Sequence, residues 1–258
     1  MVATTAYRHN NMIDDLLLLS GNDIPFPGAQ ITIHQPTVKE VAYIGEENFF
    51  TATQLLNISK NSLIEEDKVN LEQYSNFDIL IAILKEQNAV MRKNKDCIIM
   101  ILTLLFPYHE IIIGEQEIQL VHRDNKEEIS SINNNNFLEF QSILNKMFNF
   151  GGGDTQTEFK PAGDMARKIA DKLKKRHQKL AEQKNEVTKV DIISRYASVL
   201  AIGQKLDLNS VLKLTVYQLF DQIQRYELKT GYEIYIQAKM AGASDLKEVE
   251  DWMKDIHS

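Results

Sequence analysis

The chain has 258 residues, of which 43% are hydrophobic and 25% are charged. This composition is typical of a globular protein and excludes an intrinsically disordered chain, while domains of about 100 to 150 residues make two domains the expectation for this length. The net charge of −7 opposes binding of the whole chain to a polyanion.

The first predicted elements are a strand and a helix in ITIHQPTVKE. Ile31 and Ile33 alternate with polar neighbours, as residues of a half-buried strand do. Thr37 and Glu40 have the spacing of a capping box, in which the two side chains bind backbone N–H groups at the start of a helix. We expect this helix to end at Gly45.

Helices are predicted for much of the remaining first half. One contains four apolar residues, Phe49, Phe50, Leu55 and Leu56. Residues 77–84 and 97–106 are apolar enough to form buried helices that pack on each other. Residues 136–150 form an amphipathic pattern with Asn136 as the expected helix cap.

A β-hairpin is predicted between these helices. YHEIIIG (108–114) and EIQLVH (117–122) are short apolar runs joined across a glycine. The first half is therefore predicted to combine a small sheet with several helices.

A glycine-rich boundary follows in FNFGGGDTQTEFKPAG, which has no apolar periodicity. It predicts a hinge at 151–163 between an acidic domain at 1–150 and a helical domain at 164–258. The three glycines are not a phosphate loop, because no Gly-Lys-Ser/Thr follows them.

Basic residues are concentrated just after this hinge. Residues 1–150 carry 11 Lys/Arg and 20 Asp/Glu, whereas 160–189 carry ten basic and four acidic residues. The segment 164–184 predicts an amphipathic helix whose basic face is either solvated, in contact with the acidic first half, or a polyanion-binding surface. The candidate polyanion contacts are Arg167, Lys168, Lys172, Lys174, Lys175, Arg176 and Lys179.

Two further helices are predicted in the second half. Apolar residues repeat through 190–202, and Gly203 is expected to terminate that helix. Thr215 and Gln218 form a second capping box, which opens a long helix that stops at Gly242.

A short terminal helix is predicted after Ser244, its expected cap. It carries Trp252, the only tryptophan of the chain, with Met253 and Ile256 on the same side. The helix either docks on its own bundle, where burial of the indole stabilises by about 2 to 3 kcal/mol, or offers these side chains to another protein.

No pattern of catalytic or metal-binding residues is present in the sequence. The six histidines do not form HExxH, and neither GxSxG, a glycine-rich nucleotide fingerprint nor an EF-hand loop occurs. Glu46 and Glu47 are interpreted as a solvated helix end. The lone Cys97 excludes disulfides within the chain and, with apolar neighbours, is expected to be a buried thiol. We expect no enzymatic activity, metal or cofactor.

Membrane insertion and secretion are not expected. The longest apolar run, 97–107, is shorter than the roughly 20 residues that cross a bilayer. The amino terminus lacks the basic start and apolar stretch of a signal peptide. The expected location is the cytoplasm.

Two stretches carry a resemblance to a known family. ITIHQPTVKEVAYIGEENFF (31–50) resembles the strand, Pro-Thr and short-helix opening of tail assembly chaperone-like proteins of siphophages. LTVYQLFDQIQRYELKTGYEIYIQAKMAGASDLKEVEDWMKDIHS (214–258) is similar to their helical carboxy-terminal region. The two stretches cover about a quarter of the chain.

The resemblance implies a non-enzymatic role in virion morphogenesis in the host cell cytoplasm. It implies binding to the tape measure protein, recruitment of tail tube subunits and release before the particle is complete. The candidate client contacts are Tyr217, Phe220, Tyr226, Trp252, Met253 and Ile256. Self-association is a further possible interaction.

Two other functions are kept as alternatives. One is a permanent neck or baseplate adaptor of the virion, and the other is a nucleic-acid-binding regulator that uses the basic helix. The fold class is predicted as α+β, with a mixed amino-terminal domain followed by a mainly α-helical carboxy-terminal domain.

Overall fold

The computed structural model describes residues 13–59, 74–85, 89–148 and 191–242, together with Met253. The part before residue 107 contains α1 (Asp15–Ser20), β1 (Ile24–Phe26), β2 (Ile31–Ile33), α2 (Val38–Ile44), α3 (Glu46–Leu56), α4 (Asn76–Lys85) and α5 (Ala89–Leu105). The following part contains β3 (His109–Ile113), β4 (Glu117–His122), β5 (Ile129–Asn133) and α6 (Phe137–Met147). The last part contains α7 (Ile192–Gln204), α8 (Leu208–Leu212) and α9 (Val216–Met240).

The predicted fold class is confirmed, since two small antiparallel sheets are combined with helices. In the two-stranded sheet, Ile24 lies opposite Ile33. The three-stranded sheet has the order β3-β4-β5, with Ile118 paired to Ile132. All four of these side chains are fully buried. Between 191 and 242 every regular element is a helix.

A single apolar core joins the described segments. Phe140 of α6 lies 5.7 Å from Phe26 and 6.2 Å from Phe106, measured between ring centroids. Leu219 and Ile223 of α9 belong to the same core. The helices after residue 190 therefore share buried contacts with the first half, and the division at 151–163 stays a prediction, because that segment lies outside the described residues.

The first capping box and its helix are confirmed. The Thr37 N–H donates to Glu40 Oε2 at 2.8 Å, and the Glu40 N–H donates to Thr37 Oγ1 at 3.2 Å. The helix ends at Gly45, whose φ of 84° is unfavourable for residues with a side chain. The predicted helix around Phe49, the packed pair α4 and α5, and the β3-β4 hairpin are also present.

Two predicted helix boundaries differ in detail. Asn136 stands before α6 but does not cap it. Its amide donates instead to the carbonyls of Gly28 and Ser131, both at 2.9 Å, because this polar side chain is buried between the turn after β1 and strand β5. Gly203 does not end α7, which continues to Gln204.

Short elements were missed by the sequence analysis. They are α1, β1, β5 and α8. The predicted basic helix and the predicted terminal helix lie outside the described residues, apart from Met253.

The expectation of a buried thiol is confirmed. Cys97 is 2% exposed, and burial raises its pKa.

In the described ranges, no helix combines the length and apolar character required to cross a membrane.

Candidate protein-binding surface

The start of α9 is fixed by the second predicted capping box. The Thr215 N–H donates to Gln218 Oε1 at 2.9 Å, and the Gln218 N–H donates to Thr215 Oγ1 at 3.2 Å. These bonds satisfy two backbone donors that the helix itself leaves without partners.

The two capping boxes lie against each other. Thr37 and Thr215 form an isolated antiparallel bridge. The Val38 N–H donates to the Leu214 carbonyl and the Val216 N–H to the Pro36 carbonyl, both at 2.9 Å. Each helix start thus receives an acceptor from the other, which anchors α9 directly to α2.

Two side-chain amides bind the end of α1, one from Gln218 of α9 and one from the buried Gln35 before α2. The Gln218 Nε2 donates to the Leu19 carbonyl at 2.7 Å. The Gln35 Nε2 donates to the carbonyls of Leu18 at 3.2 Å and Asn22 at 2.7 Å. Gly21 ends α1 with a φ of 73°. The first turn of α9 is therefore held by α1 as well as by α2.

An ion pair with a buried carboxylate follows one turn along α9. Asp221 is 3% exposed, and both of its carboxylate oxygens accept from Arg225 Nε at 3.2 Å. Burial raises the pKa of the Tyr217 hydroxyl, and the adjacent Asp15 and Asp221 carboxylates raise it further. This phenol is therefore neutral at physiological pH, and Asp221 sets the orientation of the guanidinium.

Glu46 links the first segment to α7. Its carboxylate accepts from the Ile193 N–H at 3.0 Å and the Ser194 N–H at 2.7 Å. Asp191, the residue before α7, makes no such side-chain bond. Glu46 is therefore the cap of a helix distant in sequence, which corrects its interpretation as a solvated helix end. The adjacent Glu47 pairs with Lys93 at the surface.

Helix α7 also packs on α9 through one close approach. The Tyr226 ring lies where a β-carbon on Gly203 would be, so only glycine fits at this point of α7. About two turns earlier on each helix, the rings of Tyr196 and Phe220 meet edge to face with centroids 5.5 Å apart. These contacts hold α9 in place up to about its midpoint.

The second half of α9 extends beyond these contacts. All buried residues of α9 lie between Val216 and Ile223, and none lies in 224–240, which we call the α9 arm. At 1.5 Å per residue the arm is about 25 Å long. Five of its apolar residues have the spacing i, i+4, i+7, i+8 and i+12, which places them on one side of a helix. This arm stripe consists of Leu228, Tyr232, Tyr235, Ile236 and Met240.

The arm stripe is accessible at two of its members in particular. Tyr232 is 37% exposed and Met240 is 84% exposed, while Leu228, Tyr235 and Ile236 are half-buried. The Lys239 ammonium lies 5.7 Å from the centroid of the Tyr235 ring, a cation–π distance that favours the ring's present position.

A cationic cleft of about 470 Å³ lies beside the base of the arm. We define the cleft by its six lining residues, Gly203, Gln204, Lys205, Arg225, Tyr226 and Lys229. Three of the six carry a positive charge, and none is acidic. The cleft therefore combines three cationic side chains with one aromatic residue.

The predicted client contacts occupy different environments. Tyr217 is 2% exposed, so its ring belongs to the core and we do not retain it as a surface contact. Phe220 and Tyr226 are half-buried against α7. Met253 is 69% exposed. Trp252, Ile256 and the seven candidate polyanion contacts lie outside the described residues.

Sequence reasoning did not separate the arm stripe from the core face of α9. The sequence predicts one long helix from Thr215 to Gly242, whereas in the structure burial along this helix ends at Ile223. The spacing from Leu228 onwards was the available signal. Arg225 and Lys229, four residues apart, were a signal for the cleft, whereas Lys205 joins them only through tertiary structure.

No group of three or more His, Cys, Asp or Glu side chains in the described ranges has the geometry to hold a metal ion.

One family model matches the helical end of the chain. Residues 183–257 match the YomV second domain, which is of phage origin. This range includes α7, α8 and α9 and none of the described strands. The protein thus carries a phage-related domain. Comparison with curated proteins and with solved structures found no match.

Proposed function

We propose that the protein is a non-enzymatic factor of phage tail assembly that binds the tape measure protein and tail tube subunits in the host cell cytoplasm. The observation that carries this proposal is the arm stripe on a firmly anchored helix. The phage-related domain supports the same context, since α9 lies within the matched residues.

The arm stripe suits an apolar helical client. Its spacing is that of side chains that a helix presents to another helix or to a groove. Complete burial of an exposed Met or Tyr side chain contributes about 1.5 to 3 kcal/mol. Two exposed members and three half-buried ones therefore provide enough apolar surface for a reversible complex.

The attachment of α9 favours binding through the arm. Hydrogen bonds from Gln218 to the Leu19 carbonyl and from Val216 to the Pro36 carbonyl hold the first turn, and the apolar core holds the first two turns. A surface that is ordered before binding loses less conformational entropy when the partner docks. The arm is thus a preorganised half of a helix–helix contact.

The proposal is tested by co-purification with the tape measure protein. Tyr232→Gln combined with Met240→Gln removes the two exposed apolar members, and glutamine keeps helix propensity high. We expect at least a tenfold loss of recovered client with an unchanged melting temperature. Tyr43→Gln is the matched control, because Tyr43 is 80% exposed on α2, and it should recover the client normally. Full recovery by the double variant would contradict the proposal.

A second experiment separates an assembly factor from a permanent virion adaptor. Mass spectrometry of purified particles should detect the tail tube and tape measure proteins but not this chain. Recovery of the chain in a fixed ratio to tail proteins would favour the adaptor.

A further inference from the structure

We propose that the cationic cleft binds a carboxylate group in an acidic segment of a protein partner, next to the apolar contact made by the arm stripe. This inference rests on the proposed function, because it adds a charged contact to the same protein-binding surface. It concerns Lys205, Arg225 and Lys229, to which the function as proposed above assigns no role.

Arg225 is positioned to donate into the cleft. Its Nε is held by the buried Asp221 carboxylate at 3.2 Å. Among the described residues, no other side chain forms an ion pair with Arg225. An arginine fixed at Nε still has the N–H groups of its two terminal nitrogens, and these form the planar fork that matches a carboxylate.

The two lysines of the cleft are not strongly engaged elsewhere. Lys205 follows α7 with a left-handed φ of 55°, and its N–H donates to the Ala201 carbonyl. It forms no ion pair with a described residue. Lys229 Nζ lies 3.8 Å from Glu233 Oε1, and both side chains are more than half exposed. Exposed pairs of this length contribute little, so an incoming carboxylate can replace Glu233.

The charges around the cleft favour a single acidic segment over a nucleic acid. The three cations converge on one space of about 470 Å³ and do not form a stripe along α9. Glu227 and Glu233 alternate with Arg225 and Lys229 along the helix. A polyanion that continued along the arm would therefore meet carboxylates, which repel its phosphates.

Two exposed apolar residues lie next to the lining segment in the chain. Ile202 is 82% exposed and Leu206 is 39% exposed, and they flank the lining residues Gly203 to Lys205 in the chain. Tyr226 contributes its ring to the lining. An acidic residue thus matches the charge of the cleft, and an apolar neighbour in the same peptide can contact Tyr226.

The test is a titration of the full chain with a fluorescent peptide that carries Glu-Glu between leucines. A peptide with Gln-Gln in the same place is the neutral control, and a 12-nucleotide single-stranded DNA is the phosphate competitor. We expect the Glu-Glu peptide to bind at least tenfold more tightly than the Gln-Gln peptide. Equal affinities, or displacement of the peptide by equimolar DNA, would overturn the inference.

Variants of the full chain locate the binding. The double variant Lys205→Gln, Lys229→Gln leaves the Asp221–Arg225 pair intact. It should lower the affinity for the Glu-Glu peptide at least tenfold without changing the melting temperature of the protein. The matched control is Lys39→Gln with Lys213→Gln, which removes the same charge from exposed lysines outside the cleft. Equal weakening by both double variants would show a nonspecific effect of net charge and overturn the inference.

Failure of the inference can be distinguished from failure of the proposed function. If the cleft variant recovers the tape measure protein normally while the Tyr232→Gln and Met240→Gln variant does not, the arm stripe binds the client and the cleft does not. If neither variant affects recovery, the proposed function fails with the inference.

Discussion

Thr37 and Thr215 lie opposite each other in an antiparallel bridge, and each is the cap of its own helix. The two segments have the same local pattern, Thr-Val followed by Glu or Gln at the third helical position. Their helices therefore begin at the same place from opposite directions. The bridge makes the start of α2 and the start of α9 one hydrogen-bonded unit.

Removing either hydroxyl should destabilise the protein. Thr37→Ala and Thr215→Ala each lose a bond to a backbone N–H at a helix start, which typically costs about 1 kcal/mol. Because the caps contact each other, we expect the double variant to deviate from additivity. Urea denaturation of the wild type, the two single variants and the double variant measures their free energies of unfolding. Thr→Ser at either position is the control, since it keeps the hydroxyl and should retain most of the stability.

Glu46 and Glu47 offer a matched comparison within one turn. Glu46→Ala removes the cap of α7, so we expect a loss of about 1 kcal/mol in the free energy of unfolding. Glu47→Ala removes only an ion pair with Lys93 whose side chains are 64% and 72% exposed, and such pairs contribute little. Thermal and urea unfolding of both variants measure this difference. Equal losses would show that Glu46 does not cap α7.

Gly203→Ala should destabilise the protein, although the same change usually strengthens a helix. In an ordinary helix interior, alanine is favoured over glycine by up to about 1 kcal/mol. At Gly203 the new methyl group would overlap the Tyr226 ring, and such overpacking costs about 1 to 3 kcal/mol.

The Tyr226→Ala background provides the control for this prediction. Without the ring, Gly203→Ala should become stabilising, so the sign of its effect on the melting temperature should reverse. A destabilising effect in both backgrounds would show that another neighbour excludes the methyl group.

The capping box of α2 should make the stability of the protein depend on pH in the acidic range. Partial burial of Glu40 opposes its ionisation, but hydrogen bonds from the Thr37 N–H and hydroxyl and from His34 hold its pKa below the usual value of 4.5. A lowered folded-state pKa stabilises the protein above the unfolded-state pKa, and this contribution is lost as pH falls through the folded-state value.

Glu40→Gln tests this dependence. Glutamine can still accept from the Thr37 N–H, as Gln218 does from Thr215. The wild type should be more stable than the variant above about pH 5, where an unperturbed glutamate is mostly ionised, and the difference should shrink below that pH. His34 also faces Asp23 at 3.1 Å, and this pair is present in both proteins. Parallel stability profiles from pH 7 to 3 would contradict the prediction.

Local patterns predicted the larger elements of the fold. Both capping boxes consist of residues three apart, so their geometry could be inferred before any tertiary contact was known. The helix at Phe49 and the hairpin around Gly114 have patterns that lie within one element. By contrast, β5 contains Ser130 and Ser131 and lacks a strong apolar alternation. Its conformation is decided by pairing with its neighbour in the sheet, so the local pattern did not predict a strand.

The remaining errors arise from contacts between distant segments. Gly203 was expected at the end of a helix, but it is needed in α7 because of Tyr226. Asn136 was expected to cap its own helix, but its amide binds the carbonyls of Gly28 and of Ser131 in β5. Tyr217 was placed on a surface because aromatic spacing does not show whether α1 covers it. Such outcomes depend on which segments meet, and the local pattern does not contain that information.

The bridge between Thr37 and Thr215 also has a consequence for biosynthesis. The segment from α1 to α3 has partners in α7 and α9 as well as in the elements between them. A nascent chain therefore cannot close this core until the segment up to about Ile223 has left the ribosome. Contacts between residues so far apart in sequence slow folding. Early truncation products should consequently aggregate or be degraded, and they should not accumulate as folded amino-terminal fragments.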